Sequence, residues 1–171
     1  MIERRAVPTE LRTAGRRLEG YAATFGIEAR ISDFTETIAP GAFSRSLAGP
    51  GDILALVDHD AARLLGRRRS GSLLLHEDSR GLAFLIDTPN TQLGRDVLAL
   101  AERGDLGGMS FAFTVPEGGE RWEGRRRELR SVDLKEISVV SAWPAYEGTT
   151  VYARSAAPRL RAARLWLETT G

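Results

Sequence analysis

The sequence predicts a mostly β domain of the α+β class, with an antiparallel, barrel-like sheet and a few surrounding helices. Six or more short segments have the apolar or alternating pattern of β-strands and are separated by turn residues. One clear helical pattern lies among them, so the chain lacks the regular strand–helix alternation of a parallel doubly wound sheet. With 171 residues, of which 42% are hydrophobic, the chain can bury one core.

The first half of the chain is predicted to be almost entirely β. The expected strands cover residues 19–26, 34–38, 53–57, 64–65, 72–76 and 82–87. Pro40-Gly41 interrupts this series, and residues 42–47 form a short predicted helix. A tight turn at residues 78–81 joins the last two strands.

The strongest helical signal follows Thr88-Pro89-Asn90-Thr91, whose side chains can cap a helix start. Gly104 is suited to a left-handed C-cap, so a helix is expected between these points. Beyond it, residues 106–115 and 129–140 are predicted to form a long antiparallel pair. Residues 116–127 are then a charged connection, and residues 150–152 a last short strand.

The composition changes after residue 153, which divides the chain into a predicted domain, 1–153, and a C-terminal tail, 154–171. Ala156-Ala157-Pro158 resembles a linker, and apolar residues within 159–168 fall near one face of a helix. This short helix either packs on the domain or docks on a partner.

The composition excludes several classes of site. The chain has no cysteine, which rules out disulfides, a thiolate nucleophile and cysteine-based zinc sites, and it has only two histidines. We therefore expect no metal and no cofactor. The N-terminus has no apolar signal-peptide core, and no stretch approaches the roughly 18 apolar residues needed to span a bilayer. A cytoplasmic protein without membrane contact is expected.

Arginine supplies every basic side chain except Lys135, although acidic residues nearly balance them and the formal net charge is +1. Two runs, Arg67-Arg68-Arg69 and Arg125-Arg126-Arg127, lie beside turn residues and are expected in solvated loops. An arginine-rich β-barrel that binds nucleic acid is one possible interpretation, although the aromatic stacking platform of single-strand binders is not evident.

Ser110 and His59 are the candidate chemical residues. Ser110 lies in the apolar run Gly107-Gly108-Met109-Ser110-Phe111-Ala112-Phe113, and His59 ends the run Leu54–Val57. A serine activated by an imidazole is the minimum equipment for acyl transfer. The alternative is structural: a serine satisfied by a neighbouring carbonyl and a histidine without chemistry.

Six motifs in order resemble those of the prohead (capsid maturation) serine proteases of tailed bacteriophages, a family similar in fold to the assemblin proteases of herpesviruses. The resemblance covers residues 20–152. The motifs are Gly20-Tyr21-Ala22-Ala23-Thr24-Phe25, Ile38-Ala39-Pro40-Gly41-Ala42-Phe43, Leu56-Val57-Asp58-His59-Asp60, Gly108-Met109-Ser110-Phe111-Ala112-Phe113, Leu134-Lys135-Glu136-Ile137-Ser138-Val139-Val140 and Pro144-Ala145-Tyr146.

The resemblance implies a catalytic role for three residues. The family histidine falls on His59 and the family nucleophile on Ser110, while Glu136 is the best match for a third residue that orients the imidazole. The competing acids for this third role are Asp58, Asp60 and Asp133.

The resemblance also implies a biological role. Such proteases are packed inside an immature capsid (the prohead) in the host cytoplasm, where they process themselves and remove the scaffolding segment of the major capsid protein. Self-association is an open possibility, and no specific nucleic acid is expected as a partner. The remaining alternatives are a catalytically inactive assembly factor of the same fold and the nucleic-acid-binding barrel.

Overall fold

The computed structural model describes residues 1–142, which form thirteen strands and two helices. The strands are β1 (Glu3–Val7), β2 (Arg12–Ala14), β3 (Arg17–Thr24), β4 (Ala29–Ile31), β5 (Phe34–Ile38), β6 (Leu54–Val57), β7 (Asp60–Arg67), β8 (Leu73–Glu77), β9 (Gly81–Asp87), β10 (Gly108–Thr114), β11 (Glu120–Glu123), β12 (Arg126–Leu129) and β13 (Asp133–Val140). The helices are α1 (Ser44–Ala48) and α2 (Gln92–Arg103). Neither helix could span a membrane.

The strands form three open sheets. The central sheet has the order β1-β10-β13-β6-β7, and the other two have the orders β11-β12-β5-β4 and β2-β3-β9-β8. The prediction of a mostly β α+β domain is therefore confirmed. The strand pairing is mostly antiparallel, as predicted, although β13 runs parallel to β6 and β12 parallel to β5. Both parallel pairs join strands far apart in the chain, as parallel pairing requires. The described residues contain no closed barrel, so the barrel-like part of the prediction is not confirmed.

The hydrophobic core lies against one face of the central sheet. Met109, Phe111 and Phe113 of β10 are all fully buried there. Phe111 stacks on Phe113 with ring centroids 5.2 Å apart and meets Phe43 edge to face at 5.6 Å. Aromatic pairs of this geometry contribute about 0.5–1.5 kcal/mol beyond the area they bury. The apolar alternation of β10 thus fixes which of its faces points into the core.

Helix α2 begins and ends where its capping residues predict. The Thr91 side chain accepts a hydrogen bond from the Gly94 amide at 3.2 Å, and Gly104 ends the helix in the left-handed conformation with φ 73°. Val97 and Ala101 are buried on the inner face. Gly94 is needed for a separate reason, since a Cβ there would lie 2.0 Å from the carbonyl oxygen of Pro89.

Several segments differ from the sequence predictions, among them the short strands β2 and β4, which were not expected. The supposed connection 116–127 contains β11 and the start of β12, so Leu129 ends β12 instead of beginning the long strand. Strand β1 was not predicted at all, because its sequence is charged. It is the edge strand of the central sheet and pairs along its whole length with β10.

Buried ion pairs explain how charged β1 joins the sheet. In what we call the Arg127 cluster, the Arg127 guanidinium donates to both carboxylate oxygens of Glu3, at 2.6 and 2.8 Å, and to Glu36 at 3.0 Å and Glu120 at 2.5 Å. Arg5 forms a bidentate pair with Glu36 at 2.6 and 2.8 Å. The cluster therefore connects the central sheet, through β1, to the sheet of β5, β11 and β12.

The arginine runs are partly internal. Arg68 donates to the carbonyl oxygens of Leu47 at 2.5 Å and Gly49 at 2.9 Å, at the end of α1, and Arg67 forms an ion pair with Asp52 at 2.8 Å. Arg127 belongs to the buried cluster. Arg67 is exposed despite its ion pair, so the prediction that both runs lie in solvated loops is wrong only for Arg68 and Arg127. Carbonyl and carboxylate acceptors supplied by distant segments account for their burial.

The predicted strand 150–152, the tail helix 159–168 and the domain boundary after residue 153 lie outside the described residues.

Breaking the Arg127 cluster should destabilise the fold strongly. Arg127→Ala leaves Arg5 as the remaining guanidinium for the carboxylates of Glu3 and Glu36, and removing one member of a buried ion pair costs about 3–5 kcal/mol. Arg121→Ala is the control, because Arg121 pairs with Glu123 on the exposed face of β11 and should cost under about 1 kcal/mol. Urea unfolding of both variants measures the difference. Equal losses would contradict a special role for the cluster.

The same cluster predicts acid sensitivity. The hydrogen bonds from Arg127, followed by its charge and that of Arg5, hold the pKa of Glu3 below its ordinary value despite partial burial. A lowered folded-state pKa stabilises the protein above the unfolded-state value, about 4.3, and this stabilisation is lost as the pH falls through the folded-state pKa. Urea midpoints between about pH 5 and pH 3 should therefore fall more steeply for the native sequence than for Arg127→Ala.

Candidate active site

His59 lies in the two-residue turn of the β6–β7 hairpin. Val57 pairs with Asp60, and the two residues between them, Asp58 and His59, have φ of 52° and 61°. A type I′ hairpin turn requires positive φ at both central positions and is usually built from Asn-Gly or Asp-Gly. A histidine in place of the glycine costs conformational energy, and strain of this kind is concentrated at functional sites.

A bulge bends this hairpin. Leu56 and Val57 are adjacent on β6, yet their partners on β7, Leu64 and Asp60, are four positions apart. Residues 61–63 are therefore extra on β7. Bulges of this kind increase local twist and re-aim nearby side chains, and here the bulge directly follows His59.

Asp58 fastens the turn to the end of β13. Its amide donates to the Val139 carbonyl at 2.9 Å, and its carboxylate accepts from the Ser141 amide and hydroxyl, both at 2.7 Å, and from Arg63 at 2.7 Å. Desolvation alone would raise the pKa of Asp58, but the bonds from Ser141 and Arg63 lower it overall. The carboxylate form therefore holds the turn in place.

The His59 ring contacts Glu136. His59 Nδ1 lies 2.5 Å from Glu136 Oε1, and the two side chains are only 19% and 10% exposed. A carboxylate can only accept, so Nδ1 is the donor in this contact, and in the neutral imidazole the lone pair then lies on Nε2. This arrangement suits a histidine that removes a proton from another group.

Ser110 lies on the same face of the central sheet as Glu136. Its register partner on β13 is Ser138, and directly opposed residues in an antiparallel pair share a face with Cβ atoms about 4.5–5.5 Å apart. Glu136 is two residues from Ser138 and therefore shares that face. Ser110 is 2% exposed, and within residues 1–142 its hydroxyl makes no hydrogen bond to His59. We call this surface, formed by Ser110, Glu136 and Ser138, the site face.

Gly108 allows the strand before Ser110 to pass close to β1. Its φ is 131°, and a Cβ there would lie 2.5 Å from the carbonyl oxygen of Val7. These two observations explain why the serine motif begins with glycine. A side chain at this position would prevent the close approach of β1 and β10, the strand that carries Ser110.

Ser138 contacts both Glu136 and His59, a position that the serine motif does not predict. Its hydroxyl donates to Glu136 Oε2 at 2.5 Å and accepts from the His59 amide at 3.2 Å. The sequence offered one signal, the i and i+2 spacing of Glu136 and Ser138 on a predicted strand, which places both on one face.

The competing acids have other partners. Asp58 binds Ser141 and Arg63, Asp60 accepts from the Ala62 amide, and Asp133 forms an exposed ion pair with Arg45. Of the acids considered, Glu136 alone contacts the His59 ring in the described part of the chain. No group of three or more metal-binding side chains occurs within residues 1–142.

Comparison with known families decides the class of protein. Residues 3–161 match the family described as Caudovirus prohead serine protease, which is most of the chain. The chain belongs to the caudovirus prohead serine protease family. Comparisons with curated proteins and with solved structures gave no match. The similarity in fold to herpesvirus assemblins therefore stays a prediction.

Membership in the prohead serine protease family supports the general function of a capsid-maturation protease. Ser110, His59 and Glu136 come from three different segments: β10, the β6–β7 turn and β13.

The turn that carries His59 should tolerate asparagine better than alanine at position 58. Asp58→Ala loses the hydrogen bond to the Ser141 amide. It also places alanine, which has no polar side chain to stabilise the left-handed conformation, at positive φ. Together these changes should lower the free energy of unfolding by about 2 kcal/mol. Asp58→Asn keeps an acceptor and tolerates positive φ, so it should cost under about 1 kcal/mol. Urea unfolding measures both. Equal losses of stability in the two variants would contradict the prediction that the backbone conformation and hydrogen bonds of the turn depend on an Asp or Asn at position 58.

Proposed function

We propose that this prohead protease is a serine endopeptidase in which Ser110 is the nucleophile, His59 the general base and Glu136 the residue that orients the imidazole. The observation that carries the proposal is the 2.5 Å contact between His59 Nδ1 and Glu136 Oε1 on the sheet face that also bears Ser110. A nucleophile, a base and an orienting acid are the parts of a catalytic triad.

In the proposed mechanism, Ser110 Oγ attacks the scissile carbonyl while His59 Nε2 takes its proton. The resulting imidazolium is stabilised by the Glu136 carboxylate, and it then returns the proton to the leaving amine. Water hydrolyses the acyl-enzyme in a second, equivalent cycle. Hydrogen bonds between nucleophile and base are often long in free enzymes and tighten when substrate binds, which fits a Ser110 hydroxyl without a bond to His59 among residues 1–142.

The proposed substrates are the scaffolding segment of the major capsid protein and the protease itself, cleaved inside the immature capsid. Family membership supports this choice of substrate class. The capsid protein is then the principal partner, and self-association is an added possibility that comes with self-processing.

The nucleic-acid-binding alternative loses two of the six arginines that support it, while the other four stay exposed. Its basis was two arginine runs, yet Arg68 caps α1 and Arg127 is 7% exposed within the ion cluster. Arginines engaged in this way have few donors left for phosphates. The inactive assembly factor is distinguished by the experiments that follow.

Removing the nucleophile or the base should abolish processing without loss of fold. Ser110→Ala deletes one oxygen, and His59→Asn is preferred to alanine because asparagine tolerates the positive φ of position 59. Co-expression with the major capsid protein of the same particle, followed by intact mass spectrometry, detects loss of the scaffolding segment. The double variant should be no worse than either single one, because the two residues act as a unit.

The outcomes separate the proposal from its rivals. Processing by the native chain and by neither variant supports the protease. Full processing by Ser110→Ala would refute the assignment of the nucleophile, and an absence of processing in every sample would favour the inactive assembly factor.

Replacing Glu136 should test the orienting role. Glu136→Gln keeps the shape but offers an amide in place of a carboxylate, so it no longer fixes the imidazole tautomer or stabilises the imidazolium. Loss of the corresponding acid in a triad reduces kcat by about 10⁴-fold. Asp133→Asn is the matched control, since Asp133 lies on the same strand and, in the described part of the chain, forms its ion pair with exposed Arg45. Near-native turnover of Glu136→Gln would refute the role.

A further inference from the structure

A second serine lies between the proposed catalytic groups. Ser138 is 0% exposed and is the register partner of Ser110 on the neighbouring strand. Its hydroxyl donates to Glu136 Oε2 at 2.5 Å and accepts from the His59 backbone amide at 3.2 Å. One side chain thus contacts both the acid and the turn that carries the base.

The two bonds constrain different degrees of freedom. Glu136 Oε1 is used by the His59 ring, so the bond from Ser138 to Oε2 fixes the rotation of the carboxylate and satisfies its second oxygen. Glu136 is 8% exposed, and a buried oxygen without a donor would be costly. The bond from the His59 amide holds the backbone of the strained turn against β13.

We propose that Ser138 is a positioning residue that sets the geometry between His59 and Glu136. This inference rests on the proposed function of those two residues. Ser138 acts through them and does not react with substrate.

The hydrogen bonds of the two serines differ in a way that supports this assignment. The Ser138 hydroxyl uses its hydrogen on Glu136 and a lone pair on the His59 amide, so it is committed on both sides. The Ser110 hydroxyl makes no bond to another described residue. Ser110 is therefore the serine available for proton transfer, and Ser138 is the serine that holds His59 and Glu136 in position.

Labelling by a fluorophosphonate, which reacts with activated serines, tests the proposal on the full chain. Ser138→Ala should lower the maximal labelling rate of Ser110 about 10- to 100-fold, the loss seen at metal sites when a group that orients a histidine ligand is removed. The inhibition constant of the probe, KI, should stay unchanged. We expect the rate to change and KI to stay the same, because Ser138 is buried and is not expected to contact the probe, whereas it orients the groups that activate Ser110. Peptide mapping identifies the labelled serine.

Ser46→Ala is the matched control. The Ser46 hydroxyl also donates to an oxygen, the Val132 carbonyl at 2.7 Å, and accepts from a backbone amide, that of Leu134 at 2.8 Å. It makes the same kind of bridge, from α1 to the start of β13, without touching His59 or Glu136. The labelling rate of Ser110 in Ser46→Ala should equal that in the native chain.

Nuclear magnetic resonance supplies a readout independent of turnover. The Nδ1 proton of His59, bound to Glu136, should give a low-field resonance that is retained in Ser46→Ala and shifted or lost in Ser138→Ala. Ser138→Thr, which restores the hydroxyl, should recover both the resonance and the labelling rate. If Ser138→Ala fails to fold, Ser138→Cys provides the same comparison, because a thiol is a weak donor of similar shape.

The outcomes are distinct. Native labelling and an unchanged His59 resonance in Ser138→Ala would overturn the positioning role while leaving the triad intact. Labelling mapped to Ser138 would overturn it as well. If Ser110→Ala or His59→Asn kept native labelling, the triad itself would fail, and the His59 resonance would still decide whether Ser138 orders the histidine–glutamate pair.

Discussion

The pairing of β10 with β13 is the constraint on which both the core and the site depend. Residues along each strand alternate between two faces, so one register places Met109 and Phe111 in the core and Ser110 opposite Ser138 on the other face. A slip of one residue would exchange the two sets. Burying the aromatic side chains therefore also specifies where the hydroxyl groups lie, and the stability of the core and the geometry of the site share one register.

The order of the strands explains how the three proposed catalytic groups come from neighbouring parts of one sheet. Strand β13 lies between β10 and β6, so the strand with Glu136 and Ser138 separates the strand with Ser110 from the hairpin with His59. The bulge at residues 61–63 and the left-handed turn bring His59 back onto β13. Asp58 and Ser138 then anchor that turn at two points. The local strain of the turn is offset by contacts made elsewhere, as expected for a site that requires a particular side chain at an unfavourable backbone position.

Local signals in the sequence predicted the elements whose formation is decided locally. Thr91 and Gly104 delimit α2, and residues 34–38 form a strand with the predicted bounds. His59 and Glu136 were found through motifs, and the structure brings them into contact. Strand β1 escaped prediction because its charges are neutralised by residues 31 to 124 positions away.

The role of Ser138 could not be foreseen for a related reason. A serine on a buried strand has many possible partners, and its importance depends on a register and a turn conformation that no local pattern encodes. The arginines illustrate the same principle, since Arg127 resembled a loop residue in sequence yet joins two sheets. The role of a buried polar residue depends on partners that are distant in the chain, whereas the burial of an apolar residue can largely be predicted from the spacing of apolar residues along the sequence. In this family member the proposed catalytic chemistry and the structural polar network are both built from such distant pairs, so the site depends on the fold as a whole and not on any single segment.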